Sequence, residues 1–140
     1  MWRALAVFGA LVVSIVVGGI GGTARAQTAV QAVTSASCAG AVSWQNARRV
    51  VGRVATIRGN VAGTYYAVSS TGSPTFLNLG VDYPSPRRVT VVIWQQNRVR
   101  FGRPEMRYRG RTMCVRGYIG TYAGVPDIEA RSPAQIAIAG

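Results

Sequence analysis

The chain has 140 residues, 49% of them apolar, and its 16 basic and 4 acidic side chains give a formal net charge of +12 at pH 7. It contains no histidine and only two cysteines. This excludes an imidazole general base, Ser/His and Cys/His nucleophilic pairs, histidine metal ligands and a structural zinc site made by cysteines alone.

Residues 1–26 have the three-part pattern of a secretory signal peptide. Residues 1–3 (Met-Trp-Arg) are a short positive region, residues 4–20 are almost entirely apolar, and residues 24–26 (Ala-Arg-Ala) place small side chains at the cleavage positions. We predict cleavage near Ala26. An uncleaved anchor is the alternative, because about 17 apolar residues is close to the minimum for a membrane span. No second apolar run of this length follows, so we predict a secreted or periplasmic product with no stable membrane span.

The remaining 114 residues carry 14 basic and 4 acidic side chains, a net charge of +10. This length suits one domain with a modest core. Such an excess of positive charge favours polyanionic partners. We predict nucleic acid, as single-stranded DNA or RNA, with an acidic polysaccharide, a lipid surface or an envelope protein as the alternatives. No cofactor is predicted.

Residues 27–42 are rich in Ala, Ser, Thr, Val and Gln without a period, which predicts a flexible lead-in before a domain over residues 43–138. The two cysteines are Cys38 and Cys114. In an exported protein an even pair indicates a disulfide, which contributes about 4 kcal/mol on the chain-entropy model for a loop of this length. Two separate thiols are the alternative.

Apolar spacing predicts the elements of the domain in chain order. Ser43 is a plausible N-cap, apolar residues follow at helical spacing, and Gly52 is a stop, so we predict a short helix over Ser43–Val51. Alternation at period two then predicts strands over Val54–Val61, Thr64–Val68, Thr75–Leu79, Val89–Trp94, Thr112–Ile119 and Val125–Ala130. Residues 95–103 lack this alternation and predict a short helix or ordered loop, and Ser132–Ile138 is a terminal segment.

These are five or six short strands, which suggest a small barrel. Three main strands, a helical connection and two further strands follow the order of an OB-fold. We therefore predict an all-β, five-stranded Greek-key OB-fold barrel with a short N-terminal helix and a short helical connection between strands 3 and 4. Residues 44–136 resemble the bacterial OB-fold module of exported DNA-binding-type proteins, which also occurs beside some extracellular nuclease domains. The stretches that carry this resemblance are Gly52–Val61, Pro74–Gly80, Tyr83–Pro84, Val91–Trp94, Phe101–Gly102, Gly110–Gly117 and Gly124–Ile128.

The four acids give little support to catalysis. Asp127 and Glu129 alternate on one predicted strand, so their carboxylates share a face. Paired carboxylates can bind a cation or act as acid and base, but a solvated strand face is the commoner arrangement. With Asp82 and Glu105 they form no set matching staphylococcal-type nucleases, which use a related barrel. We predict no metal site and no enzyme activity, with a minimal nuclease as the alternative.

Strand alternation predicts a binding face. If Leu77, Leu79, Val89, Val91 and Ile93 point inward, period two turns Phe76, Asn78, Thr90, Val92 and Trp94 outward together. These outward residues lie on the second and third strands, the usual OB-fold ligand surface. Phe76 and Trp94 are then candidate stacking platforms for unpaired bases. A register error of one residue would place both rings in the core instead.

Arginines and tyrosines complete the candidate interface. Arginine binds phosphate bidentately and stacks on bases, and the basic residues are dense between Arg87 and Arg116. A solvated charged surface is the alternative. We predict that two pairs of tyrosines flank the same end of the barrel and add stacking or hydrogen bonds: Tyr65 and Tyr66 near the first turn, and Tyr118 and Tyr122 near the last hairpin. The predicted nucleic-acid-binding residues are Phe76, Asn78, Arg87, Arg88, Trp94, Arg98, Arg100, Tyr65 and Tyr122.

Together these patterns predict an exported, non-catalytic binding module for single-stranded or irregular nucleic acid. Arginine–phosphate contacts and aromatic stacking would supply the affinity. The alternative is a structural or interaction module of the cell envelope.

Overall fold

The structure is a computed structural model that describes residues 36–140. The predicted signal peptide, residues 1–26, and residues 27–35 of the predicted lead-in lie outside the described residues. Both therefore stay predictions.

The described chain is mostly β, as predicted, with seven strands and few helices. The strands are β1 Val42–Ser43, β2 Val54–Tyr66, β3 Thr75–Leu79, β4 Val89–Ile93, β5 Thr112–Tyr122, β6 Val125–Glu129 and β7 Ile136–Ile138. Two α-helices, α1 Gln95–Phe101 and α2 Pro104–Arg107, connect β4 to β5. The predicted N-terminal helix is present as a 3₁₀ helix, Trp44–Val50, and a second 3₁₀ helix spans Pro133–Gln135. No described helix is long and apolar enough to cross a membrane.

Five of the strands close into a ring. β2 pairs with β3, β3 with β4, β4 with β6, β6 with β5, and β5 again with β2. Only the β4–β6 contact within this ring is parallel. β2 takes part twice, because its first half pairs with β5 and its second half with β3.

The strand set differs from the predicted one at three places. β2 is one strand of 13 residues where we predicted two. The apparent break is a bulge between Val61 and Gly63, where a side chain on Gly63 would overlap the Asp82 carboxylate. The short strands β1 and β7 extend the sheet beside β2 and β5, so it has seven strands and is not a clean five-strand barrel. Two or three residues are too few to show period-two alternation, which is why the sequence did not predict them.

The core fills the inside of the ring. Leu77, Leu79, Val89, Val91 and Ile93 are all 0% exposed, as the predicted register requires. Ile57, Met113, Val115, Ile119 and Ile128 of the other ring strands, also fully buried, pack with them. Phe101 and Tyr108 from the helical connection pack against the same cluster. Alternate inward residues of every ring strand therefore share one apolar interior.

Residues 36–43 are attached to the sheet. A disulfide joins Cys38 to Cys114 on β5, which confirms the predicted bridge. The Ala36 amide donates to the Ala134 carbonyl at 2.8 Å, and β1 pairs in parallel with Ile57 and Arg58 of β2. The chain is thus held to β2 and β5 before the first helix begins.

Candidate ligand-binding face

An aromatic row crosses the outward face of β2, β3 and β4. The register pairs Tyr65 with Phe76 and Phe76 with Val92, so these three side chains stand side by side on adjacent strands. Tyr65 is 65% exposed, Phe76 is half-buried and Val92 is buried. The exposed aromatic surface therefore lies toward β2, and Val92 is its floor.

Trp94 adds a third ring just beyond the end of β4. It lies half-buried against the β2–β3 turn, where a Cβ on Gly72 would come within 3.0 Å of the indole ring. Gly72 also has φ +74°, a conformation that favours glycine. We name Tyr65, Phe76 and Trp94 the aromatic strip, since all three lie near the β2–β3 turn.

Asn78 lies on the outward side of β3 as predicted, but its side chain is buried and both of its polar groups are hydrogen-bonded within the protein. Its amide donates to Asp82 Oδ1 at 2.8 Å, and its carbonyl oxygen accepts from the Thr90 hydroxyl at 3.2 Å. Only 4% of Asn78 is exposed. Because both polar groups already have protein partners, we remove Asn78 from the candidate interface.

Arg98 is also committed to the protein. Its guanidinium forms a bidentate ion pair with Glu105 at 2.7 and 2.8 Å, donates to the Thr75 hydroxyl, and lies 3.8 Å from the centre of the Tyr66 ring. The hydrogen bond from Arg98 lowers the pKa of Glu105, although burial opposes this shift. Sequence spacing placed Arg98 among free arginines, whereas the fold turns it inward against the barrel. It too is removed from the candidate interface.

Arg87 and Arg88 lie at the other end of the outward face, in the β3–β4 loop. Arg88 donates to the Thr90 hydroxyl and the Ser85 carbonyl, and its guanidinium stacks 5.2 Å from the centre of the Tyr83 ring. Arg87 is exposed. Tyr83, 72% exposed, was missed as a site residue, because it lies between two predicted strands, where alternation assigns no face.

Tyr65 and Tyr122 are not brought together, so the prediction that they flank one end is wrong. Tyr122 pairs with Val125 at the β5–β6 turn, whereas Tyr65 lies in the row of Phe76 near the β2–β3 turn. Because β6 runs parallel to β4, the β5–β6 turn lies at the end where β4 begins, whereas the β2–β3 turn lies at the end where β4 finishes. Alternation within single strands does not show which turns share an end. Tyr122 is 80% exposed but remote from the aromatic strip.

Arg109 and Arg100 lie in the connection between β4 and β5. Arg109 donates to the hydroxyl of Thr64 at 3.0 Å. Thr64 precedes Tyr65 on β2, so its side chain lies on the opposite side of the strand from Tyr65. Arg100 is exposed on α1 and donates to the Arg131 carbonyl at 3.3 Å. Arg109 was counted in the basic segment but not predicted as a site residue, because its proximity to β2 depends on the turn that precedes β5.

β6 gives the neighbouring part of the surface the opposite charge. Asp127 pairs with Thr90 and Glu129 pairs with Val92, so both carboxylates lie beside the outward face. Glu129 forms an ion pair with Arg131 at 2.9 Å. Burial raises the pKa of Asp127, and the nearby Glu129 adds to this rise. Their predicted shared face is confirmed by the register, and with Tyr118, Gly120, Arg131 and Gln135 they line a shallow groove.

No protein-family model matches this chain, and no curated protein matches it. The solved structures that are similar to it include two at 12% identity. A putative aspartyl-tRNA synthetase from Leishmania major Friedlin matches 69% of this chain and 20% of its own, with a TM-score of 0.45. The aspartyl tRNA synthetase from Entamoeba histolytica matches 74% of this chain and 23% of its own, with a TM-score of 0.44. The chain spans about a fifth of the length of these synthetases.

Proposed function

We propose that the protein is an exported, non-catalytic module of the OB-fold type that binds single-stranded or irregular nucleic acid. In this proposal the five-strand ring is the Greek-key barrel, and β1 and β7 are additions to it. The observation that carries the function is the aromatic strip near the β2–β3 turn, with Arg87 and Arg88 at the other end of the same outward face.

Each part of this surface supplies one component of affinity. An exposed ring such as Tyr65 stacks on an unpaired base and contributes about 1–3 kcal/mol per base without strong sequence preference. Arg87, Arg88 and Arg100 supply phosphate contacts, which release counterions and make binding depend on salt. Asp127 and Glu129 repel phosphate, so the bound strand would follow β2–β4 and avoid β6.

A titration of fluorescent oligo-dT tests the proposal, with Tyr65→Ala as the variant. We expect Tyr65→Ala to weaken binding by about 5- to 100-fold, the equivalent of one lost stacking contact. Affinity of the unchanged protein is expected to fall steeply between 50 and 200 mM salt, values chosen because phosphate contacts respond in this range. Tyr118→Ala is the matched control, since Tyr118 is similarly exposed, at 61%, but lies on β5.

Two results would contradict the proposal. One is no binding at micromolar protein in low salt. The other is an equal loss for Tyr65→Ala and Tyr118→Ala, because the affinity would then not depend on the aromatic strip. Competition by an acidic polysaccharide but not by DNA would favour the envelope-module alternative.

The absence of catalysis is part of the proposal. Among residues 36–140 no three His, Cys, Asp or Glu side chains are grouped to hold a metal ion, and Glu105 and Glu129 are each paired with an arginine. We expect plasmid DNA incubated with the protein and Mg²⁺ to stay intact. Cleavage that disappears with a chelator would instead identify a nuclease.

Export is supported by the Cys38–Cys114 bridge, since disulfides persist in oxidising compartments. Mass spectrometry of the product recovered outside the cytoplasm would measure its N-terminus. We expect it to begin near residue 27, and a full-length mass would contradict signal cleavage.

A further inference from the structure

The two helices of the β4–β5 connection each turn one large apolar side chain to solvent. α1 packs inward through Asn97 and Phe101, and α2 through Pro104, with Tyr108 buried directly after it. The outward sides of the same helices carry Val99, 84% exposed, and Met106, 62% exposed. Two large apolar side chains therefore project from this end, and no contact from residues 36–140 covers them.

The same segment carries several exposed arginines. Arg100, Arg103 and Arg107 are exposed on or between the helices, and Arg109 and Arg111 are exposed in the turn that follows. The acid of this segment, Glu105, forms its ion pair with Arg98. We name Val99, Arg100, Arg103, Met106 and Arg107 the helical cap. The helical cap thus has two exposed apolar side chains and three exposed arginines.

We propose that the helical cap docks the protein on an anionic lipid surface. The arginines would contact headgroup phosphates while Val99 and Met106 enter the interface between headgroups and acyl chains. Arginines alone fit any polyanion, but a nucleic acid or glycan backbone offers no apolar layer for two aliphatic side chains. A lipid interface offers both. This docking does not depend on nucleic-acid binding, which uses the aromatic strip, and Arg100 is the one residue that both proposals use.

The strength of such docking is modest and reversible. Each arginine near an anionic surface strengthens partition by about fivefold, and this attraction fades within a Debye length. Binding should therefore weaken in salt and on vesicles without net charge. The two apolar side chains add a contribution that salt does not screen.

Co-sedimentation with phosphatidylglycerol vesicles tests the proposal, with phosphatidylcholine vesicles as the uncharged reference. The protein is recovered from the extracytoplasmic fraction and its N-terminus is measured. This shows whether apolar residues 4–20, which would themselves bind vesicles, have been removed. Val99→Ser/Met106→Ser removes the apolar component, and Arg103→Gln/Arg107→Gln removes part of the charge. Val54→Ser, at a residue 59% exposed on β2, and Arg53→Gln/Arg116→Gln are the matched controls.

We expect the first double variant to lower partition on phosphatidylglycerol at least fivefold and the second about 25-fold. The controls should stay within twofold, and oligonucleotide binding by Val99→Ser/Met106→Ser should not change. Lack of binding to phosphatidylglycerol by the unchanged protein overturns the proposal. So does an equal loss in the control variants, or insensitivity to Val99→Ser/Met106→Ser, which would reduce the cap to a general polyanion surface.

Discussion

Arg98 and Glu105 show how single residues hold the helical connection on the barrel. Their side chains are 13% and 17% exposed and form two hydrogen bonds, with Tyr66 stacked on the guanidinium. Removing one partner from a largely buried pair leaves the other charge poorly solvated. The pair therefore fixes α1 and α2 against β2 and β3.

Glu105→Gln should lower the free energy of unfolding at pH 7 by about 2–3 kcal/mol, because the Arg98 charge loses its counter-charge. The pKa of Glu105 is lowered in the folded state. Its stabilisation is therefore present above the pKa of the unfolded chain and is lost as pH falls through the lowered folded value. Urea unfolding of both proteins at pH 7 and below pH 3 measures this. A difference between them that does not shrink in acid would contradict the assigned role.

For single residues, the sequence predicted which way a side chain points better than whether its polar groups are free to bind a ligand. Period two correctly turned Leu77 and Val91 inward and Asn78 outward. It did not show that Asn78 is covered by Asp82 or that Arg98 is paired with Glu105, since these partners are set by loop and helix conformation. Which polar side chains remain free for a ligand thus depends on contacts that alternation does not encode.

Among the elements, the first 3₁₀ helix depends on a glycine of the β3–β4 loop. Trp44 packs against Gly80, which has φ +85°, and a Cβ at Gly80 would overlap the indole ring. Both the backbone and the close approach therefore require glycine at this position. The contact holds the first helix against the end of β3.

Gly80→Ala should cost about 3 kcal/mol, from backbone strain together with displacement of Trp44. Gly52→Ala is the matched control. Gly52 has φ +83° but nothing within 4 Å of a Cβ, so only the strain of about 1–2 kcal/mol remains. Denaturant unfolding measures both losses, and near-ultraviolet circular dichroism follows the tryptophan environment. Equal losses in the two variants would show that the Trp44 contact contributes nothing.

The sequence largely predicted where the strands and helices lie, but it did not predict the bulge within β2 or the two short outer strands. β3 matches the predicted Thr75–Leu79, and residues 95–103 were correctly expected to interrupt the strands. The bulge that unites the two halves of β2 and the two short outer strands were missed. A bulge and a three-residue strand are defined by cross-strand hydrogen bonds, which a one-dimensional pattern does not contain.

At the scale of the whole molecule, the Cys38–Cys114 disulfide joins residues that are 76 positions apart in the sequence. A closed loop of this length restricts the unfolded chain and contributes about 4–5 kcal/mol on the chain-entropy model.

Cys38→Ser should lower the free energy of unfolding by up to that amount, about 4–5 kcal/mol. Equilibrium unfolding in urea with and without dithiothreitol measures it. Reductant should bring the unchanged protein to the stability of the variant and leave the variant unaffected. A midpoint of the unchanged protein that does not respond to reductant would show that the bridge contributes no stability.

The hydrogen bond between residues 36 and 134 also determines how the domain could be inserted into another protein. The Ala36 amide binds the Ala134 carbonyl, and β7 pairs with the part of β5 that holds Cys114. The chain therefore enters and leaves the barrel at neighbouring points along β5, while the aromatic strip lies on β2–β4. Inserted into a host protein at a surface loop, the domain would need only a narrow gap between the two junctions.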